Sequence, residues 1–134
     1  MLYFIANVRK LSGSKRKERL AKVIEQTELY DVLDKPIDLL SKGFKRRVGL
    51  AQAIIHDPQI LILDEPTEGI QPNIVQEIGD IIRKLNKDIG LTVLLVEQKL
   101  PFVRRTSDNF IIMDRGRKVA MGGLEELNDD LVRE

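Results

Sequence analysis

Apolar residues recur every three to four positions at Leu2, Ile5, Val8 and Leu11, and again at Leu20, Val23, Ile24 and Leu29. That spacing predicts helices over residues 2–11 and about 15–30. Ser12-Gly13-Ser14 separates them, with Ser14 in position to cap the second. Asp34-Lys35-Pro36 marks a turn. Ser41 is a good cap for a third helix running to about residue 55, which His56-Asp57-Pro58 ends. The pattern then changes. Residues 60–63 and 91–96 are short continuous apolar runs, which predict strands buried on both faces of a parallel sheet. Between them Pro72 opens a helix over about 72–88, with Ile74, Ile78, Ile81, Ile82 and Leu85 inward, and Gly90 stops it. A short helix is expected near 99–106. Residues 110–113 and 118–121 flank Asp114-Arg115-Gly116-Arg117, a hairpin pattern. A polar, acidic helix is expected after Gly122-Gly123. The order predicts an α/β chain, with a helical part at 1–56 and half of an α/β sheet at 57–134.

Composition narrows the chemistry. At 134 residues the chain is one domain or part of one. It has no cysteine, which excludes disulfides and thiolate metal sites, and its single histidine, His56, argues against a histidine metal cluster. His56 is read as structural. No apolar run approaches the roughly 20 residues that span a bilayer. The first ten residues do not read as a signal peptide, so the expected compartment is the cytosol. The net charge of +1 is unevenly spread: residues 1–50 hold 12 Lys/Arg and 6 Asp/Glu, and the rest hold 10 and 15. A solvated helix surface explains the basic half better than a nucleic-acid or membrane partner.

Two features carry candidate chemistry. Asp64 and Glu65 end the first apolar strand. A carboxylate there suits a hard cation such as magnesium, and its neighbour, on the other side of the chain, can polarise a water for attack on phosphorus. Alone, the pair reads better as solvated carboxylates. Ser41 and Gly43 stand at the mouth of the third helix, where a hydroxyl and close backbone approach suit a phosphate. Alone, they read better as a helix cap.

Together the parts are far more specific. Leu40-Ser41-Lys42-Gly43-Phe44, a basic helix, then residues 60–67 ending Asp64-Glu65-Pro66-Thr67, resemble the signature motif and Walker B strand of the nucleotide-binding domain of ABC transporters. The resemblance covers essentially the whole chain. It implies a partial P-loop NTPase fold, with a helical signature subdomain at 1–56 and the C-terminal part of the RecA-like core at 57–134. It implies ATP and Mg2+ as cofactors, Asp64 as the magnesium ligand and Glu65 as catalytic base. Gln98 falls at the switch position. Ser41, Lys42 and Gly43 would contact the ATP of a partner subunit in a head-to-tail dimer, and Glu68 and Gly69 lie in the D-loop that crosses that interface. The implied partners are a second ABC ATPase subunit and membrane permease subunits, with no nucleic acid. The implied location is the cytoplasm, peripheral at the inner face of the membrane.

The chain departs from the family's pattern. Lys42 stands where Gly is usual, Phe44 where Gln is usual, and Gln98 where His is usual; Gln donates a hydrogen bond but carries no positive charge. Residues 1–67 look most like ABC-2 and gliding-motility-type exporter ATPases, and 68–134 like ATPases of urea and branched-chain amino-acid importers. A P-loop needs Gly-x-x-x-x-Gly-Lys-Ser/Thr, and the sequence has no Gly-Lys dipeptide. The Walker A loop is expected before residue 1, so the chain alone is expected to bind ATP poorly and to be inactive. The alternatives are a non-catalytic truncated module that pairs with an intact ATPase, or the C-terminal lobe of a DNA-repair-type ABC ATPase.

Overall fold

The structure, a computed structural model, describes residues 1–128, 130 and 132. Three helices come first: α1 (Leu2–Val8), α2 (Gly13–Gln26) and α3 (Lys42–Ile54). Helix α1 is shorter than the periodicity predicts, because Lys10 turns into the left-handed region at φ 60°. Helix α2 starts one residue after Ser12, so Ser12 and not Ser14 is its N-cap residue. It ends at Thr27, whose hydroxyl donates back to Val23 O, and Glu28 (φ 53°) then reverses the chain. Two 3-10 turns, Tyr30–Val32 and Ile37–Leu39, bridge to α3.

The α/β part follows as β1 (Ile60–Asp64), α4 (Pro72–Ile89) and β2 (Thr92–Val96). Strands β1 and β2 pair in parallel, with Ile62 opposite Leu94 and Asp64 opposite Val96. Helix α4 is the crossover that parallel pairing demands. It begins at Pro72 and stops at Gly90, which takes the left-handed φ of 67°. Helix α5 (Leu100–Thr106) leads to a second, antiparallel sheet of β3 (Asn109–Asp114) and β4 (Arg117–Gly123). Its two-residue turn has positive φ at both Arg115 and Gly116, the geometry that matches strand twist. The acidic helix expected after Gly122-Gly123 opens instead as a 3-10 turn at Leu124–Glu126, and residues 129, 131, 133 and 134 lie outside the described ones.

One apolar cluster runs through both parts of the chain. Ala6, Val23, Val48, Ala51, Ile54 and Ile55 meet Leu61, Ile81, Leu85 and Leu91. A smaller cluster of Ile78, Ile82 and Phe102 joins α4 to α5. Arg19 of α2 ties the helices to one another and to the link that follows α3. Its guanidinium donates to Ile55 O at 2.9 Å and Ile54 O at 2.6 Å, satisfying the orphan carbonyls at the end of α3, and lies 3.5 Å from Asp57. Arg47 of α3 pairs with Glu28 and with Glu77 of α4.

Two-sided burial of the parallel strands does not hold. Leu61, Leu63, Val93 and Leu95 face the helices, but Ile60, Ile62, Leu94 and Val96 are 50–65% exposed on the other face. Strands read as buried on both faces need helices on both, and among the described residues the helices cover one.

Candidate functional site

Strand β1 delivers Asp64 to its exposed carboxyl end, as its apolar run implies. The chain then turns sharply. Glu65 adopts φ 44°, a conformation costly for a non-glycine residue, while its N–H still donates to Val96 O at 2.8 Å. This turn extends the β1–β2 pairing by one step and re-aims the Glu65 side chain. The carboxylate of Glu65 accepts a hydrogen bond from Gln98 Nε2 at 2.8 Å. Two residues 33 positions apart, singled out separately in the sequence, are therefore in direct contact.

The turn after Glu65 buries Pro66 and Thr67 and brings up Glu68 and Gly69, both exposed, with Gly69 at φ 67°. Thr67 donates its hydroxyl to Glu97 Oε2 at 2.6 Å, and Lys99 Nζ donates to Thr67 O at 2.9 Å. Glu97 Oε1 in turn accepts the backbone N–H groups of Gln98 at 2.9 Å and Lys99 at 3.2 Å. Partial burial works to raise the Glu97 pKa. The Thr67 hydroxyl, the two backbone donors and the Lys99 charge outweigh it, and the carboxyl sits below its ordinary value. Neither Glu97 nor Thr67 stands out in the sequence as part of this network. The only sign was a carboxylate next to Gln98 at the end of an apolar strand.

The Ser41–Gly43 group sits on a different element. Ser41 caps α3, its hydroxyl oxygen accepting from Phe44 N at 3.3 Å, which leaves the exposed hydroxyl free to donate. Lys42 is exposed, and its Nζ lies 3.6 Å from where a Cβ on Gly69 would stand, so the α3 mouth and the turn after β1 are neighbours. Gly43 is buried. A Cβ there would overlap Ile74 Cγ2 of α4, so the glycine is needed for helix packing, a role the sequence reading did not include.

The donor set bears on magnesium. Among the described residues no three His, Cys, Asp or Glu side chains gather into a cage. Asp64 alone fits an ion that keeps most of its ligands as waters or phosphate oxygens, which is how magnesium is usually held. His56 is half-buried between α3 and β1. Desolvation, with Arg9 and Arg19 nearby, pushes its pKa below the ordinary value, against a smaller opposing pull from Asp57.

Comparison with known proteins bears on family and fold. Residues 4–68 match the family model described as ABC transporter. The methionine import ATP-binding protein MetN of Streptomyces coelicolor is 40% identical over 119 residues, 86% of this chain and 34% of that protein. The energy-coupling factor transporter ATP-binding protein EcfA3 of Clostridium perfringens is 32% identical over 118 residues, 88% of this chain and 41% of that protein. The chain thus spans about two-fifths or less of these relatives. Among solved structures, cbiO1 from Clostridium perfringens, part of the ABC transporter complex cbiONQ, superposes with a TM-score of 0.86 at 32% identity, over 93% of this chain and 50% of that one. The ATP-binding cassette MJ1267 gives 0.77 at 29% identity, over 86% and 46%. The chain thus resembles the ABC transporter family over residues 4–68, and as a whole it carries the mixed α/β ABC ATPase fold.

Proposed function

We propose that the chain is the signature and Walker B part of an ATP-hydrolysing subunit of an ABC transporter. The observation that carries this is the contact of Glu65 with Gln98 at the end of β1, beside Asp64. In this reading Asp64 holds a magnesium ion, which supplies charge neutralisation on the phosphates. Glu65 accepts a proton from the attacking water, and the Gln98 amide orients the Glu65 carboxylate and reaches toward the γ-phosphate. Ser41, Lys42 and Gly43 face the ATP of a second subunit, and Glu68 and Gly69 cross the same dimer interface. The exposure of Ser41, Lys42, Glu68 and Gly69, and the proximity of Lys42 to Gly69, support a shared surface. Gly43 contributes there only through its backbone, because it lies behind Ile74.

The phosphate cradle comes from polypeptide beyond these 134 residues, since the sequence contains no Gly-Lys dipeptide. Residues 1–56, the helical subdomain in this reading, dock on membrane permease subunits, and residues 57–134 are the core part. That arrangement puts the protein at the cytoplasmic face of a membrane. Among the described residues no helix is long and apolar enough to cross one. Relatives named for methionine import favour uptake as the direction. The exporter likeness of residues 1–67 and the importer likeness of 68–134 point to a recombined lineage, an idea that homogeneous ancestry of both halves in close orthologues would sink.

The test is a graft. These 134 residues replace the matched stretch of the Streptomyces coelicolor MetN protein, and ATP turnover is measured. Retained turnover that falls by about 10²–10⁴ in Glu65→Gln, with ATP binding kept, supports the reading. Equal turnover in the Glu65→Gln graft removes Glu65 from the role of base.

A further inference from the structure

The contact between Glu65 and Gln98 is exposed, and two long side chains at a surface do not hold one geometry by themselves. Something must fix the segment that carries Gln98. That segment leaves β2 at Val96 and enters α5 at Leu100, so residues 97–99 lie in neither the ladder nor the helix. Glu97 spans the gap from both sides. Its Oε2 accepts from Thr67 Oγ1 at 2.6 Å, and Thr67 is fully buried in the turn after Glu65. Its Oε1 accepts from the backbone of Gln98 and Lys99 at 2.9 and 3.2 Å. Lys99 closes the loop from the other direction, its ammonium donating to Thr67 O at 2.9 Å.

We propose that Glu97 is a positioning residue whose carboxylate clamps the turn at 65–67 to the segment at 97–99, so that the Gln98 amide is delivered to Glu65. This rests on the reading of Glu65 and Gln98 as a working pair. The chemistry explains why a glutamate stands there. Three donors, one hydroxyl and two N–H groups, converge on one side chain, and a carboxylate offers acceptor oxygens to all of them. A glutamine keeps one oxygen for the two backbone donors and turns its NH2 toward Thr67, whose hydroxyl oxygen can accept. An alanine removes every bond. The clamp also joins Glu68 and Gly69, which follow Thr67, to Gln98. A shift of the turn that presents Glu68 and Gly69 is therefore transmitted to the Glu65–Gln98 pair through two short polar links rather than through the apolar core.

The experiment is nitrogen-15 NMR of the full 134-residue chain, as wild type, Glu97→Ala, Glu97→Gln and Thr67→Val. The readouts are the side-chain amide of Gln98 and the hydrogen exchange of the Gln98 and Lys99 backbone amides. In wild type the Gln98 side-chain resonances are expected to be dispersed. In Glu97→Ala they should collapse to the position of a free glutamine, and exchange of the two backbone amides should rise about tenfold or more, while the β1–β2 ladder amides of Leu63 and Leu95 keep their protection. Glu97→Gln should recover most of the wild-type pattern. Thr67→Val, which keeps the side-chain volume, should loosen Gln98 partway and carries the test if Glu97→Ala does not fold. An unmoved Gln98 side chain in a folded Glu97→Ala or Thr67→Val protein overturns the proposal, and so does equal loosening of ladder and loop, which marks Glu97 as merely stabilising. No nucleotide is needed. A failure of the ATPase reading therefore leaves this outcome intact, and a failure here leaves the graft assay unaffected.

Discussion

Single residues singled out for chemistry in this chain also serve packing. Gly43 is the plainest case. Its place beside Ser41 reads as a phosphate approach, yet the structure buries it against Ile74. Gly43→Ala is expected to destabilise by about 1–3 kcal/mol through overpacking, and Ile74→Ala in the same chain should return part of that loss in a double-mutant cycle. Urea midpoints check this, and a Gly43→Ala protein as stable as wild type would mean that the close approach is not needed. His56 gives a pH dependence of known sign. Its folded-state pKa is lowered from 6.5, mainly by desolvation. Below that value the unfolded chain takes the proton first, so the contribution of His56 is full above about 6.5 and is lost as pH falls through the folded value. Stability should drop as pH falls below about 6.5, and His56→Gln should flatten that drop. The Glu97 contribution has a different window. Its pKa is lowered from 4.5, so that stability is present above 4.5 and is lost only as pH falls below it.

The elements follow from hydrophobic period and from the residues that interrupt it. The Pro72 start and Gly90 stop of α4, the Ser41 cap of α3 and the Arg115-Gly116 hairpin were all legible, because each rests on backbone chemistry that acts over a few residues. The end of α1 and the end of α2 were not. Lys10 and Glu28 take left-handed backbone that nothing in their side chains announces. The partners of Glu97 were illegible for a related reason: strand order and the turn at Glu65 determine which loop meets residues 97–99, and those contacts span 30 or more positions. Asp64, Glu65 and Gln98 were singled out as candidates through motif likeness rather than periodicity. The exposed face of β1 and β2 has its own consequence. Ile60, Ile62, Leu94 and Val96 form an uncovered apolar patch on paired strands, which favours self-association. Sedimentation of the chain should show an apparent mass that rises with concentration. The pair Ile62→Glu and Leu94→Lys, opposite one another in register, should suppress the rise. A wild-type chain that stays monomeric at high concentration would contradict this.

At the scale of the whole molecule, two groups of site residues are carried on one frame. Asp64, Glu65 and Gln98 converge at the end of the parallel sheet. Ser41 and Lys42 stand at the mouth of α3, brought beside Gly69 by the packing of α3 on α4. Arg47 fastens the helical part to the rest through Glu77 of α4, and Arg19 ties α2 to the end of α3 and to Asp57, so the two groups keep a fixed relation. The matches to MetN and cbiO1 cover most of this chain but half or less of those proteins. The central claim is that these residues supply magnesium and proton chemistry to a nucleotide whose phosphates are cradled by other polypeptide. Calorimetry with Mg·ATP tests it most directly, run on the 134-residue chain and on the same residues grafted into MetN. The account predicts no binding tighter than about millimolar for the chain alone, about 4 kcal/mol at most, and micromolar binding for the graft. Micromolar binding by the chain alone, abolished by Asp64→Asn, would contradict it, as would a folded graft that fails to bind.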